Sequence, residues 1–171
     1  DFGLFTNDKR LTSEVARIFT FLETKQRPTQ AFEYLGVGLF NLKEKFISLI
    51  KRETDNAKKG KKARMILKMN SLQDEEIINY LYDASKAGVR IKLIIRGICS
   101  LVPGQKGLSE NIEAISIVDR FLEHSRVFIF HNEGNPEVYL SSADWMVRNL
   151  HFRVETVFPV LDPDIAKSII T

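Results

Sequence analysis

A histidine and an arginine stand two positions apart in a segment rich in reactive side chains, residues 121–149. His124 and Arg126 flank Ser125, and residues two apart on an extended segment face the same side. An imidazole takes or gives a proton near neutral pH, whereas a guanidinium is a permanent cation. The pair therefore predicts a site where a proton-transfer group and a fixed positive charge contact one anionic ligand.

A second polar group follows at the end of the next predicted strand. Gly134 and Asn135 predict a turn, and the strand after it ends in Ser141, Ser142 and Asp144. A hairpin would bring these side chains back beside the imidazole and the guanidinium. Hydroxyl donors, a cation and a proton-transfer group suit phosphoryl transfer, because the moving group carries charge on its peripheral oxygens.

These two groups resemble the half-motif of the phospholipase D superfamily, HxK followed by GSxN, which here reads HSR and SSAD. Arg126 replaces the lysine, Ser141 the glycine and Asp144 the asparagine, which argues against a phospholipase or nuclease of that type. On spacing alone, both a catalytic and a structural role remain open for His124. The other histidines, His131 and His151, have no such neighbours.

Hydrophobic periodicity predicts an α/β organisation around these residues. Helices are expected over residues 12–24, from Asn41 to before Gly60, over 74–87 and after Pro163. Asn41, with Glu44 three residues later, resembles a helix N-terminus. Strands are expected over residues 63–69, 89–95, 113–118, 126–131, 137–141 and 153–160. A polar linker is expected over residues 25–30.

The strands over 63–69 and 89–95, with the helix between them, predict a βαβ unit. Ligands bind beyond the carboxyl ends of such parallel strands. Lys68 and Asn70 end the first strand and Arg96 follows the second, so we expect all three to face one crevice. Helix capping for the first two, and an ion pair for the arginine, remain alternative roles.

Composition and charge restrict the function only broadly. A chain of 171 residues with 44% hydrophobic residues can bury a core, and its apolar runs are shorter than the roughly 20 residues that cross a bilayer. The net charge of +3 favours anionic partners. The basic cluster from Lys58 to Arg64 could be a surface that binds phosphate groups. Its position favours the alternative, a solvated helix end whose lysines complement the helix dipole. The single Cys99 fits a reducing compartment, which predicts a cytoplasmic location.

Four segments closely resemble, in order and spacing, the C-terminal region of polyphosphate kinases. They are KMNSLQDEEIINYLYDASKAGVRIKLIIRGICSLVPG, GLSENI, SIVDRFLEHSRVFIFHN and SSADWMVRNL. DFGLFT, at the start, is similar to the end of the preceding catalytic domain. The resemblance implies that residues 1–34 are a helical remnant of that domain and a linker, and that residues 35–171 form a phospholipase-D-like catalytic domain. The expected fold is α/β, a mixed sheet flanked by helices.

The resemblance also implies reversible transfer of the terminal phosphate of ATP to polyphosphate through a phosphohistidine, within a tunnel formed by two such domains. The phosphorylated histidine would lie upstream of Asp1. The chain is therefore expected to be a piece of a longer protein, and this piece is expected to be inactive on its own. His124 matches the second histidine of the family, which assists the transfer. Arg96 matches the arginine that contacts nucleotide phosphates.

Further phosphate-binding candidates are Lys68, Asn70, Arg126, Ser142 and Asp144. The expected partners are ATP or ADP with Mg²⁺ and inorganic polyphosphate, with no nucleic acid. No carboxylate cluster predicts an independent metal site, so the ion would arrive with the nucleotide. The resemblance implies a homo-oligomeric parent enzyme and leaves membrane association open.

Two alternatives from other functional classes remain. The first is a phospholipase-D-like phosphodiesterase that pairs two HSR half-sites across a homodimer. The second is a non-catalytic anion-binding or oligomerisation module in which His124 is buried and structural.

Overall fold

A computed structural model describes all 171 residues, which form five α-helices and seven β-strands. The helices are α1 (Lys9–Thr24), α2 (Leu42–Lys58), α3 (Glu75–Lys86), α4 (Val147–His151) and α5 (Pro163–Ile170). The strands are β1 (Gly36–Val37), β2 (Arg64–Met69), β3 (Arg90–Ile95), β4 (Ile112–Ile115), β5 (Arg126–Phe130), β6 (Glu137–Ser141) and β7 (Thr156–Pro159). No helix combines the length and the hydrophobicity that crossing a bilayer requires.

The seven strands form one mixed sheet in the order β1-β7-β6-β5-β2-β3-β4. Strands β2, β3 and β4 are parallel neighbours, and α3 connects β2 to β3. The other neighbouring pairs, including β2 with β5, are antiparallel. The predicted βαβ unit and the predicted mixed α/β sheet are therefore confirmed.

Helices α2 and α3 cover one face of the sheet, and α5 covers part of the other. Phe46 of α2 packs with Met65 of β2, and the Trp145 ring stacks on Phe128 with 5.2 Å between ring centroids. On the opposite face, Ala166 of α5 packs against β5 and β6. Burial of this apolar surface is the main favourable term in folding, and it places Trp145 in the core.

Strand β2 buries alternate residues and leaves the others open. Met65, Leu67 and Met69 are buried against the helices, whereas Arg64 at the start of the strand is exposed. Strand β3 repeats the pattern, with Lys92 exposed. Because successive side chains alternate between the two faces, the second face of β2 and β3 carries basic side chains.

Local hydrogen bonds fix the ends of the helices that flank this sheet. Helix α3 begins where the Asp74 carboxylate accepts the Ile77 N–H at 3.0 Å, and it ends before Gly88, whose φ of 97° suits glycine. Helix α2 begins at Leu42, directly after Asn41, so the predicted helix start is confirmed. The Asn41 side chain does not cap the helix, because its side-chain oxygen accepts the Val37 N–H at 2.8 Å.

Two predicted strands are shorter than expected, and one helix was missed. Strand β4 ends at Ile115, where its pairing with β3 ends, rather than continuing to residue 118. Strand β7 begins at Thr156 rather than at residue 153, because the preceding residues form part of the polar cleft described below. The short helix α4 lies between Val147 and His151 and has no side-chain cap to mark its start.

Helix α1 docks on the chain just before β1. Leu11 and Ile18 pack with Leu35, and the Glu14 carboxylate accepts the backbone N–H groups of Glu33, Tyr34 and Leu35 at 2.7, 3.3 and 2.8 Å. Glu14 is buried, so these three bonds compensate its loss of hydration. The division of the chain at residue 34 stays a prediction.

Candidate active site

A cleft of about 740 Å³ opens at the carboxyl ends of β2 and β3. Its lining is mainly polar and includes six of the seven side chains that the sequence singled out: Asn70, Arg96, His124, Arg126, Ser142 and Asp144. His124 and Arg96 therefore line one cleft.

The strand pairing explains why these residues meet. Strands β2 and β3 are parallel and in register up to Met69 and Ile95, so the residues that follow them lie side by side. Strand β5 runs antiparallel to β2 and β6 runs antiparallel to β5, with Arg126 opposite Ser141. The start of β5 and the end of β6 consequently reach the same edge of the sheet as the ends of the parallel strands.

A continuous hydrogen-bond network joins two guanidinium groups through an amide and a carboxylate. Arg126 donates from Nε and Nη2 to the two oxygens of Asp144 at 3.2 and 3.3 Å. Asp144 also accepts the backbone N–H of Asn70 at 2.8 Å, and the Asn70 Oδ1 accepts Nε and Nη2 of Arg96 at 3.2 and 2.9 Å. Because Asp144 pairs with Arg126 and Arg96 binds only the neutral Asn70 amide, these four residues together carry a net positive charge that suits an anionic ligand.

His124 lies at one end of this network. Its Nδ1 is 2.9 Å from the Asp1 carboxylate, while the Arg126 Nη1 is 3.1 Å from Nδ1 and donates to the His124 carbonyl at 2.9 Å. A ring nitrogen carries either a proton or a lone pair, so Nδ1 bonds only one of these two neighbours at a time. With the proton on Nδ1 the ring donates to Asp1 and presents the Nε2 lone pair, whereas with the proton on Nε2 the Nδ1 lone pair accepts from Arg126.

Burial and the positive charge of Arg126 lower the pKa of His124 below its ordinary value, and Arg96 acts in the same direction. The Asp144 carboxylate opposes them. The neutral imidazole, which can accept a proton, is therefore favoured near neutral pH. The side chain is 39% exposed, which contradicts the alternative of a buried structural histidine.

Lys68 does not line the cleft, contrary to the expectation that it faces the same crevice as Asn70. Its Nζ donates to the hydroxyl and the carbonyl of Ser125 at 2.7 and 3.1 Å and is 3.1 Å from the Glu123 carboxylate. These contacts hold the segment on either side of His124. A direct phosphate contact by Lys68 stays a prediction.

Four polar residues that the sequence did not predict as site residues line the other side of the cleft: Arg148, Asn149, Arg153 and Glu155. The buried Glu155 accepts from the Ser142 hydroxyl and from Asn149 Nδ2 at 2.9 Å, and it pairs with Arg153. Arg148 makes no ion pair with Asp144, since Asp144 binds Arg126.

Ser142 occupies the predicted place, but its hydroxyl proton is donated to Glu155. The Ser142 oxygen accepts the Thr156 N–H at 3.1 Å. In this arrangement Ser142 positions the cleft wall, and a phosphate contact would require its hydroxyl to turn.

No group of three or more histidine, cysteine, aspartate or glutamate side chains is arranged to hold a metal ion. Both buried carboxylates of the cleft are committed, Asp144 to Arg126 and Asn70, and Glu155 to Ser142, Asn149 and Arg153. A divalent cation needs several oxygen ligands, so these residues do not fit a resident metal.

Comparison with known proteins gives the family. The sequence model described as polyphosphate kinase C-terminal domain 2 matches residues 35–171. Polyphosphate kinase from Vibrio parahaemolyticus is 52% identical over 170 residues, and that from Escherichia coli K12 is 46% identical. These alignments cover 99% of this chain but 24% and 25% of the relatives, so the chain spans about a quarter of their length.

Comparison with solved structures indicates the same family as the sequence comparisons. The crystal structure of polyphosphate kinase from Porphyromonas gingivalis superposes with a TM-score of 0.92 at 48% identity, covering 96% of this chain and 25% of that chain. Nuc from Salmonella typhimurium, a phospholipase D family member, matches with a TM-score of 0.56 at 17% identity, covering 80% of this chain and 88% of that chain, which shows a shared fold alone. The expected phospholipase-D-like fold is confirmed, and the chain belongs to the polyphosphate kinase C-terminal domain family.

Proposed function

We propose that this chain supplies one wall of the active site of a polyphosphate kinase, which reversibly transfers the terminal phosphate of ATP to polyphosphate through a phosphohistidine outside this chain. The observation that carries the proposal is the cleft in which His124 adjoins the Arg126–Asp144–Asn70–Arg96 network. The support from relatives is their name, polyphosphate kinase.

Each side chain has a distinct task in this proposal. Arg96 and Arg126 stabilise the charge on the oxygens of the phosphoryl group during transfer, because guanidinium groups bind phosphate with two parallel hydrogen bonds and remain charged. Asp144 and Asn70 hold the two arginines in place. Magnesium would arrive with the nucleotide phosphates and neutralise part of their charge.

His124 acts as the proton-transfer group. In the synthetic direction an oxygen of the terminal phosphate of the polymer attacks the phosphorus, the P–N bond to the phosphorylated histidine breaks and a new P–O bond forms. The neutral imidazole accepts the proton of the attacking phosphate, and it returns that proton in the reverse direction. Its lowered pKa suits the acceptor state.

The test uses the longer parent enzyme with His124→Ala, and it follows labelled phosphate from ATP into acid-insoluble polymer. We expect synthesis to fall by about 100-fold or more, the usual contribution of a positioned acid–base group. His151→Ala is the matched control, because this exposed histidine lies outside the cleft lining. Undiminished synthesis in the His124 variant would overturn the assignment.

The phosphodiesterase alternative makes a different prediction. A homodimer with two HSR half-sites would hydrolyse a model phosphodiester such as bis-p-nitrophenyl phosphate using the 171-residue chain alone. We expect no hydrolysis above the buffer rate. Hydrolysis that disappears in His124→Ala would favour the alternative.

A further inference from the structure

A second concave and positively charged surface lies at the opposite edge of the parallel strands from the candidate active site. It has a volume of about 700 Å³ and is lined by five basic residues, named here the basic edge site: Lys61, Lys62, Arg64, Arg90 and Lys92. Strands β2 and β3 connect this site to the cleft. At about 3.3 Å per residue, their six residues separate the two sites by roughly 20 Å.

The topology brings together cations that are distant in sequence. Arg64 and Arg90 are register partners at the starts of β2 and β3, so their side chains lie on the same face of the sheet. Lys92 lies two residues further along β3 and shares that face. Lys61 and Lys62 arrive from the connection after α2, which turns at Gly60 with a φ of 73°.

The lining of the basic edge site also contains two carboxylates, Glu110 and Glu113, so its five basic side chains exceed its acidic ones. Lys62, Arg64 and Arg90 have no carboxylate within 4.0 Å, whereas Lys61 pairs with Glu133 at 2.6 Å and Lys92 lies 3.6 Å from the Glu113 carboxylate. Exposed ion pairs of this kind contribute little free energy, so both lysines remain available to a multivalent anion. Repulsion among the uncompensated cations is relieved when such an anion binds.

The chemistry of the lining indicates which anion fits. None of the residues that line the basic edge site is aromatic, and its apolar members are Ala63 and Ile91. Proteins that bind single-stranded nucleic acid combine a basic groove with aromatic side chains on which the bases stack. A ligand that consists of phosphate charge alone, without bases, matches a site built of guanidinium and ammonium groups.

We propose that the basic edge site binds linear condensed phosphate, separately from the cleft that contains His124. The choice of this ligand rests on the proposed function, whereas the site itself rests on its own geometry and charge. Arg64 and Arg90 are the central ligands, because two neighbouring guanidinium groups bind phosphate oxygens with directed hydrogen bonds.

The test is a titration of the 171-residue chain with sodium tripolyphosphate, followed by calorimetry and by amide hydrogen exchange. The key variant is Arg64→Gln/Arg90→Gln, and both residues are exposed, so the fold is expected to survive. Lys86→Gln/Lys167→Gln is the matched control, because it removes the same charge from exposed positions outside both sites. Arg96→Gln tests the cleft independently.

In the wild-type chain, tripolyphosphate should slow exchange at residues 61–64 and 89–92. We expect the Arg64→Gln/Arg90→Gln variant to lose this protection and about tenfold or more in affinity, as the loss of a charge-assisted hydrogen bond implies. The control pair and Arg96→Gln should keep the protection at these residues.

Three results would overturn the inference: no protection at these residues, an equal loss of affinity in the control pair, or equally tight binding of a single-stranded oligonucleotide that displaces tripolyphosphate. Failure of the proposed function looks different. If His124→Ala leaves polymer synthesis intact in the parent enzyme while protection at the basic edge site persists, the cleft assignment falls and this inference stands.

Discussion

The imidazole of His124 and the carboxylate of Asp144 are the two groups whose surroundings decide the chemistry of the cleft. Partial burial and two nearby guanidinium groups disfavour the imidazolium form of His124 and so lower its pKa. Asp144 is 7% exposed and is bonded to Arg126 and Asn70, so it serves as a fixed counterion. The residue that changes protonation is therefore separate from the residues that hold charge.

We predict that His124 titrates below pH 6.5, its ordinary pKa. Arg96→Gln should raise the pKa of His124, since one of the positive charges that oppose protonation is removed. The measurement is the chemical shift of the His124 ring proton against pH by NMR, with His151 as an internal comparison. Because the pKa is lowered, the neutral acceptor form persists as the pH falls to 6.5 and is lost only below it. A titration at or above 6.5 would contradict the prediction.

Asp144→Ala should destabilise the fold by about 3–5 kcal/mol, because it leaves the buried Arg126 without its carboxylate. Urea unfolding of the 171-residue chain measures this change.

Arg126→Gln combined with Asp144→Asn should lower the free energy of unfolding by less than the sum of the two single substitutions, because the interacting charges are then removed together. Additive costs would show that the pair is not coupled. Glu133→Ala, which breaks an exposed pair with Lys61, should change stability little.

At the scale of elements, the hairpin of β5 and β6 and the βαβ unit place the site, and both follow from sequence pattern. Two apolar segments joined by a turn at Gly134 and Asn135 predicted the hairpin, whose register puts Arg126 opposite Ser141. Helix α4 and the start of β7 could not be predicted in the same way. Their conformation depends on Glu155, which binds Ser142 and Asn149 through contacts that periodicity does not encode.

The direction of individual side chains was the second feature that could not be predicted from the sequence. Lys68 and Asn70 share the end of one strand, yet Asn70 binds Arg96 in the cleft, whereas Lys68 binds Ser125. The pattern of alternation fixes the face of the sheet but not which neighbour a long, flexible side chain contacts.

The attachment of α1 gives a prediction at this scale. Glu14→Ala should leave the backbone N–H groups of Glu33 and Leu35 without their acceptor, which loosens α1 and the chain before β1. Amide hydrogen exchange should become faster at residues 33–35 and stay unchanged in β2. Glu23→Ala is the control, because Glu23 is an exposed residue of the same helix. Equal exchange in both variants would indicate that α1 is only loosely associated.

At the scale of the whole molecule, the sheet separates two basic regions. The cleft lies beyond the carboxyl ends of β2 and β3, and the basic edge site lies at their amino ends. The sequence showed the cluster from Lys58 to Arg64, but Arg90 and Lys92 join it only through strand pairing, so the concavity could not be predicted from the cluster alone.

We predict that the 171-residue chain acquires no phosphohistidine when it is incubated with labelled ATP, because the proposed phosphohistidine lies outside this chain. The longer parent enzyme should become labelled, and its His124→Ala variant should remain labelled while losing polymer synthesis. Acid-labile, base-stable label measures the modification. Such label on the 171-residue chain would show that it contains the nucleophile.

The contacts of Lys68 affect how mutational results on this cleft are interpreted. Its ammonium group bridges Ser125 and Glu123, so its removal would loosen the segment on both sides of His124 even where Lys68 contacts no phosphate. If an alanine scan measured only the KM, a raised KM in Lys68→Ala would be interpreted as the loss of a substrate contact. We expect Lys68→Ala instead to lower kcat and to broaden the NMR resonance of the His124 ring. These two effects distinguish a residue that positions the imidazole from one that binds phosphate.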